Sequence, residues 1–238
     1  MNNSTNPVVS SRRRLVKASA ACALLAIGLG MSACSDEEGS GDIVTLSITD
    51  VVDPEVTAVT VYDDFDVHIT VDPNAPLSAS IQIDDNLINN TDFWVDDDGE
   101  LFVGWGSLVD VEPTQRPVIT MSVHEFDSVD NRSEGTVTVT GVDNNDFDVR
   151  THGDGAVEVN GTASRVDVDV SGESTVDLAN LVADRVDLVG TGDGTLSVHA
   201  TVKLTGEVTD DGDVRVLGNP DTSQVDIDGD ADGELIMV

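Results

Sequence analysis

Three aspartates, Asp148, Asp167 and Asp187, recur at intervals of 19 and 20 residues. Carboxyl groups held ~5–9.5 Å apart can cleave a glycosidic bond when a cleft raises the pKa of one. Similar aspartates recur along the whole second half of the chain, so the spacing singles out no catalytic pair. Asp228, Asp230 and Asp232 precede Gly233-Glu234, and with Asp96-Asp97-Asp98-Gly99-Glu100 they come nearest to a calcium loop. Calcium takes six to eight oxygens, and the expected position-twelve Glu, counted from Asp228, falls beyond Val238. Solvated turns are therefore expected, with Ca2+ at Asp228, Asp230 and Asp232 as the alternative. His68, His124, His152 and His199 lack HExxH or HxH spacing and a close Cys partner, which leaves zinc unsupported. His152, beside Gly153, reads as a polar surface residue. No GxSxG motif or phosphate-cradling loop occurs. Trp94 and Trp105 flank Phe93, Phe102 and the Asp96–Glu100 turn. Exposed, they could stack on sugar rings; buried, they would close an edge of the fold. The scarcity of aromatics favours the cap. The expectation is a protein that is not an enzyme and has no cofactor.

Cys34 carries a different chemistry. It follows Met31-Ser32-Ala33, and small residues there let a chain enter a peptidase site in extended form. The segment resembles a lipobox, in which the cysteine is acylated and becomes the first mature residue. Upstream, Arg12-Arg13-Arg14 and Lys17 precede an apolar run from Ala18 to Met31, and the first 33 residues contain no acid. That is the basic and apolar order of an export signal. The run is too short for the ~20 residues of a spanning helix. An ordinary signal peptide with an incidental cysteine is the alternative. The only other cysteine, Cys22, lies in the segment to be removed, so no disulfide is expected. By resemblance to Gram-negative lipoprotein sorting, Ser35 implies the outer membrane, with the domain facing the periplasm or the outside. A multiply acylated cysteine would anchor it stably. Residues 34–43, which include Ser35-Asp36-Glu37-Glu38-Gly39-Ser40-Gly41-Asp42, read as a flexible acidic tether.

All 46 acidic residues follow Cys34, whereas four of the 11 basic residues precede it. Such a surface repels nucleic acid and anionic headgroups. It fits divalent cations, a basic partner or adaptation to high salt. The charges alternate with Val, Ile and Leu, which argues for strands and against disorder.

The order of those strands is set by a repeat. The apolar residues just after each Gly/Asp-rich turn are Val137, Val157, Val176, Leu196, Val214 and Leu235, at spacings of 20, 19, 20, 18 and 21. Ten residues before four of them stand Phe147, Val166, Val186 and Leu204, and Val225 bears the same relation to Leu235. Units this short bury an apolar face only by stacking on one another, which predicts an all-β solenoid of parallel strands. Val should point in and Asp out along Val166–Val170. Aligned carboxylates ~4.8 Å apart must be screened by salt or bridged by cations. An antiparallel sandwich is the competing fold.

The sequence also resembles the head GIN domain family of autotransporter-adhesin-like proteins, over about residues 44–238. The resemblance is carried by Val59-Thr60-Val61-Tyr62-Asp63-Asp64-Phe65-Asp66-Val67-His68-Ile69, by Ile81-Gln82-Ile83-Asp84-Asp85-Asn86-Leu87-Ile88 and by Asp98-Gly99-Glu100-Leu101-Phe102-Val103. Gly192-Asp193-Gly194-Thr195-Leu196 and Gly218-Asn219-Pro220 complete it. It implies a right-handed parallel β-helix with two differing halves, here 44–125 and 126–238, behind a signal at 1–33. It supplies no catalytic residues. The turns depart from the family in carrying Asp and Glu where Ser is usual. Together these features point to an envelope-anchored binding or adhesin-like module that contacts glycan or an envelope protein. A structural or cation-binding acidic surface is the second reading, and a polysaccharide-active enzyme the third.

Overall fold

The computed structural model describes residues 14–15, 37–52, 55–106, 110–209, 211–227 and 234–238. Cys34, the leader apart from Arg14–Leu15, and Asp228, Asp230 and Asp232 lie outside the described residues. In chain order the strands are β1 (Ile43–Ser47), β2 (Ala58–Val61), β3 (Asp66–Val71), β4 (Ser78–Asp84), β5 (Thr91–Val95), β6 (Glu100–Trp105) and β7 (Val118–Val123). They continue with β8 (Ser128–Asn131), β9 (Thr136–His152), β10 (Ala156–Ser171), β11 (Thr175–Thr191) and β12 (Thr195–Thr209). The last three are β13 (Asp213–Leu217), β14 (Asp221–Ile227) and β15 (Leu235–Met237). Only two short 3-10 turns interrupt the described strands.

Each of β9 to β12 is one coil of a solenoid, and each is parallel to the next. The register shifts midway along them, at Thr140/Val142, Glu158/Gly161 and Leu178/Val182. Each coil therefore contributes to two walls. The first wall runs β1-β4-β7-β3, through the first halves of β9 to β12, to β13 and β15. The second runs β5-β6-β2-β8, through the second halves of the coils, to β14. Parallel pairing of the coils excludes the sandwich.

The repeat is the register. Val137, Val157, Val176, Leu196, Val214 and Leu235 lie opposite one another in successive strands of the first wall. Phe147, Val166, Val186 and Leu204 do the same on the second. Val166, Val168 and Val170 are buried, while Asp167 and Asp169 face out. Each buried Val or Leu side chain is worth about 1.5–3 kcal/mol relative to exposure. A lone coil would leave much of that surface wet, so the burial exists only through stacking. Val225 departs from the expected column. It lies opposite Gly206, not Leu204, because the register slips between Lys203 and Thr205 after the Gly218-Asn219-Pro220 bend.

The N-terminal half differs in pairing. Antiparallel pairs β1–β4, β4–β7 and β5–β6 close this end, while β7–β3 and β6–β2 stay parallel. Two-residue strands add to the edge: Glu37–Glu38 pairs with Val111–Glu112, and Arg14–Leu15 with Trp94–Val95.

The segment expected as a tether is shorter than the sequence implied, because Glu37 to Gly41 is fastened to the domain. Asp84 Oδ1 accepts hydrogen bonds from the Gly41 N–H (2.8 Å) and the Thr114 hydroxyl (2.7 Å), and Oδ2 accepts the Thr114 N–H (3.0 Å). The Asn86 amide donates to the Glu38 carbonyl and accepts from the Ser40 N–H. Asp84-Asp85-Asn86 thus serves a mechanical role and clamps the incoming chain. Burial pushes the Asp84 carboxyl up, but the bonds from Thr114 and Gly41 outweigh burial and hold it below its ordinary value.

Candidate functional site

Alternation along the second wall decides which groups it presents outside. Phe93, Val95, Leu101 and Val103 turn into the core. Trp94 and Phe102 therefore turn out and lie opposite each other across β5 and β6. Their rings stack with centroids 3.7 Å apart and planes 4° from parallel. Phe102 in turn stacks on Tyr62 at 6.3 Å and 17°. The Arg132 guanidinium carbon lies 5.5 Å from the Tyr62 centroid. Four flat groups from β5, β6 and the ends of β2 and β8 thus form one continuous stack. Aromatic pairs and cation–π contacts of this kind contribute about 0.5–1.5 kcal/mol each. Tyr62 is nevertheless 46% exposed, so the stack is an accessible feature of the surface.

Arg132 is held from below. Its Nη2 and Nε donate to Asp130 Oδ2 at 2.6 and 2.9 Å. The Asp130 hydrogen bond raises the Arg132 pKa against the opposing effect of burial. Asp130 lies beside Thr60 of β2, whose hydroxyl donates to Glu100. The second Asp130 oxygen, Oδ1, is buried and has no hydrogen-bond partner. His152 Nδ1 approaches it at 3.4 Å, longer than a good N–H···O bond.

Trp94 and Trp105, read together as a cap with sugar stacking as the alternative, stand apart. Trp105 sits at the far end of the β5–β6 hairpin, packed on buried Phe65 with centroids 4.7 Å apart. Its backbone N–H donates to Asp63 Oδ2 at 2.7 Å. Trp105 fits the cap reading, while Trp94 belongs to the outer stack. Sequence reasoning missed Tyr62, Arg132 and Asp130. Tyr62 stood within the quoted Val59–Ile69 motif, but nothing in the chain marks its pairing with Arg132, 70 residues on.

The aspartate column does assemble. Asp148, Asp167 and Asp187 are opposite one another in consecutive coils. Arg165 Nη2 lies 2.8 Å from Asp167 and 2.9 Å from Asp187. Asp167 first, then Asp187, raises the Arg165 pKa. Arg165 thus bridges two of the three aspartates, and Arg150 pairs with the third, Asp148, at 3.4 Å. Arg185 and Lys203 continue the Arg165 position along the next two coils. A shallow groove of about 370 Å³ runs alongside, over Arg150, Asp169, Val189 and Thr205. Where the walls meet, Glu125, Asp127, Asp143, Asp146 and Asp148 line a basin of about 510 Å³. Burial, then the charges of Glu125 and Asp148, push the Asp127 carboxyl up.

The Asp96–Glu100 motif is a turn. Asp96 Oδ1 accepts the N–H groups of Asp98 and Glu100, both at 2.9 Å. Among the described residues no group of three or more His, Cys, Asp or Glu side chains is arranged to hold a metal. His124 bonds Glu55 and the Ala75 carbonyl, and His199 the Ala179 carbonyl.

The fold and its outer stack define a two-walled β-solenoid that displays a rigid aromatic strip at one end. The chain belongs to the family described as "Putative auto-transporter adhesin, head GIN domain", whose model matches residues 55–220. No curated protein shows a significant match to it. Among solved structures it is similar to a "putative adhesin" from Bacteroides fragilis NCTC 9343, at 17% identity and a TM-score of 0.67. That alignment covers 84% of this chain and 99% of the other. It is also similar to a "putative lipid binding protein" from Parabacteroides distasonis ATCC 8503, at 17% identity and a TM-score of 0.52, covering 86% of this chain and all of that one. At these identities the likeness establishes the fold alone. Among the described residues no helix is long and apolar enough to cross a membrane.

Proposed function

We propose that this protein is an envelope-anchored, adhesin-like binding module that contacts glycan through the outer surface of its second wall. One observation carries the reading: a chain with 3% aromatic residues places Trp94, Phe102 and Tyr62 in a stack on the outside of a rigid sheet. Rings used only for stability would be turned inward, as Phe65, Phe126 and Phe147 are. Family membership supports an adhesin-like, non-catalytic role. Lipid at Cys34 supplies the anchor. Glu37 is already fastened to the domain, three residues beyond Cys34, a reach of roughly 10 Å at full extension. A lipid on Cys34 would therefore hold Glu37 and the strand edge it pairs with near the membrane.

The test is a glycan array probed with the full chain, its Trp94→Ala and Tyr62→Ala forms, and a Trp105→Ala control. Binding lost in the first two while the folded control retains it is the expected result. Equal binding by all four proteins would sink the reading. Metabolic labelling with a radioactive fatty acid tests the anchor, and label retained by Cys34→Ala would refute it. A second reading, an acidic display surface without a specific partner, is favoured by the basin around Asp127 and would leave the array blank.

A further inference from the structure

Resting on that reading, we propose that the site takes a neutral, hydroxyl-rich pyranose. One sugar hydroxyl donates to Oδ1 of Asp130 in the place now covered by the His152 ring. Asp130 as a residue is only 9% exposed, yet its two oxygens are treated unequally. Oδ2 receives both Arg132 N–H groups, and Oδ1 receives none. A buried carboxylate oxygen without a donor is rare, because it has given up its water and gained nothing in return. It belongs to the carboxylate that holds, through Oδ2, the guanidinium packed on Tyr62.

The cover is removable. The His152 side chain is 45% exposed and its Nδ1 stands 3.4 Å from Oδ1. It ends β9 immediately before Gly153. On binding, the ring turns into solvent to admit the sugar hydroxyl. The carboxylate remains fixed by Arg132 throughout, so the acceptor is preorganised.

The ligand class follows from the groups around that oxygen. An acceptor-only atom selects a donor. Arg150 lies opposite Asp130 but is paired with Asp148 at 3.4 Å, Glu100 and Asp148 stand two residues along the same strands, and the chain carries a formal charge of −35. Uronate or sulfated sugars are repelled from such a surface. The cation–π position over Tyr62 is already filled by Arg132, which leaves no place for a ligand ammonium on that ring. The faces of Phe102 and Tyr62 are taken up within the stack, so a pyranose meets the outer edges of the strip with its apolar C–H groups and gives hydroxyls to the carboxylate.

Titration of the full chain in detergent micelles with matched neutral-hexose, uronate and lysine oligomers tests this, followed by tryptophan fluorescence. Asp130→Asn keeps the shape, but with its carbonyl held by Arg132 it presents an amide donor where Oδ1 stood. It should weaken neutral-oligomer binding by at least about tenfold. His152→Ala removes the cover and should tighten binding. Unchanged affinity in Asp130→Asn, a preference for uronate or lysine oligomers, or weakening by His152→Ala would each overturn the proposal. If Asp130→Asn fails to fold, the His152→Ala result decides alone, since only a cover gives a gain on removal. Binding that needs Tyr62 and Trp94 but ignores Asp130 leaves the adhesin reading standing and removes this one. Indifference to Tyr62 and Trp94 removes both.

Discussion

The coils from Thr136 to Thr209 and the lobe from Ile43 to Asn131 solve the same problem with different materials. Phe147 is the last aromatic residue in the chain; beyond it the coils are filled by Val, Leu and Ala. The N-terminal lobe holds the other seven aromatics, and it closes with antiparallel pairs where the coils are parallel. Coils that bury the same small side chains at the same height template one another, and each needs only its neighbours. The lobe must end that stacking, and an end has no neighbour to copy. It therefore uses larger, individually placed groups, and it is the part that carries a distinctive outer surface.

The contrast can be broken most severely at glycine. Gly206 has φ of +139°, and a Cβ there would meet the Leu188 carbonyl oxygen of the adjoining coil at 1.8 Å. Gly206→Ala should cost about 4 kcal/mol or more in denaturant unfolding. Gly99, in the β5–β6 turn, has φ of +86° and its closest approach would be 3.3 Å, so Gly99→Ala should cost about 1–2 kcal/mol. Equal costs would mean that the coils are no more tightly stacked than the lobe.

Leu178→Ala, at the centre of the coils, should cost about 3 kcal/mol. Hydrogen exchange should show lost protection concentrated in β10 to β12, with β1, β4 and β7 largely spared. Uniform loss over both regions would refute nearest-neighbour stacking.

Two carboxylates sharpen the comparison through pH. Asp84 in the lobe has its folded pKa lowered below 3.8, so its contribution is present above that value and lost as the pH falls through the folded pKa. Asp84→Asn should cost about 1–3 kcal/mol at neutral pH, for the hydrogen bonds that clamp Gly41 and Thr114, and should flatten the acid limb of the stability curve. Asp127, where the lobe meets the coils, has its pKa raised, so its protonated form stabilises below 3.8 and that benefit disappears as the pH rises through the folded value. Asp127→Asn should therefore leave the neutral-pH midpoint equal or slightly higher. Chemical unfolding between acid and neutral pH checks both signs.

The smallest effect is expected at Arg165. Its bridges to Asp167 and Asp187 lie among half-exposed side chains, where ion pairs contribute little and salt screens them. Arg165→Ala should lower the melting temperature slightly at low ionic strength and not at about 1 M salt. A large, salt-independent drop would show that Asp167 and Asp187 depend on this one residue for the stability of the coils.

Composition, period and alternation determined the strand walls, their inward residues and the heights of Val137 to Leu235, because stacking at constant register converts position in the chain into position along the solenoid. They also determined that Asp148, Asp167 and Asp187 would meet. Only the tertiary structure decided that Arg165 bridges Asp167 and Asp187, that Val225 slips to Gly206, and that Asp84 and Asn86 seize the segment read as a tether. It alone separated Trp94 from Trp105 and brought Tyr62, Phe102, Arg132 and Asp130 together. Tyr62 meets Phe102 and Arg132 from 40 and 70 residues away, outside the repeat, where no period relates sequence distance to height, so neither residue of such a pair marks its partner.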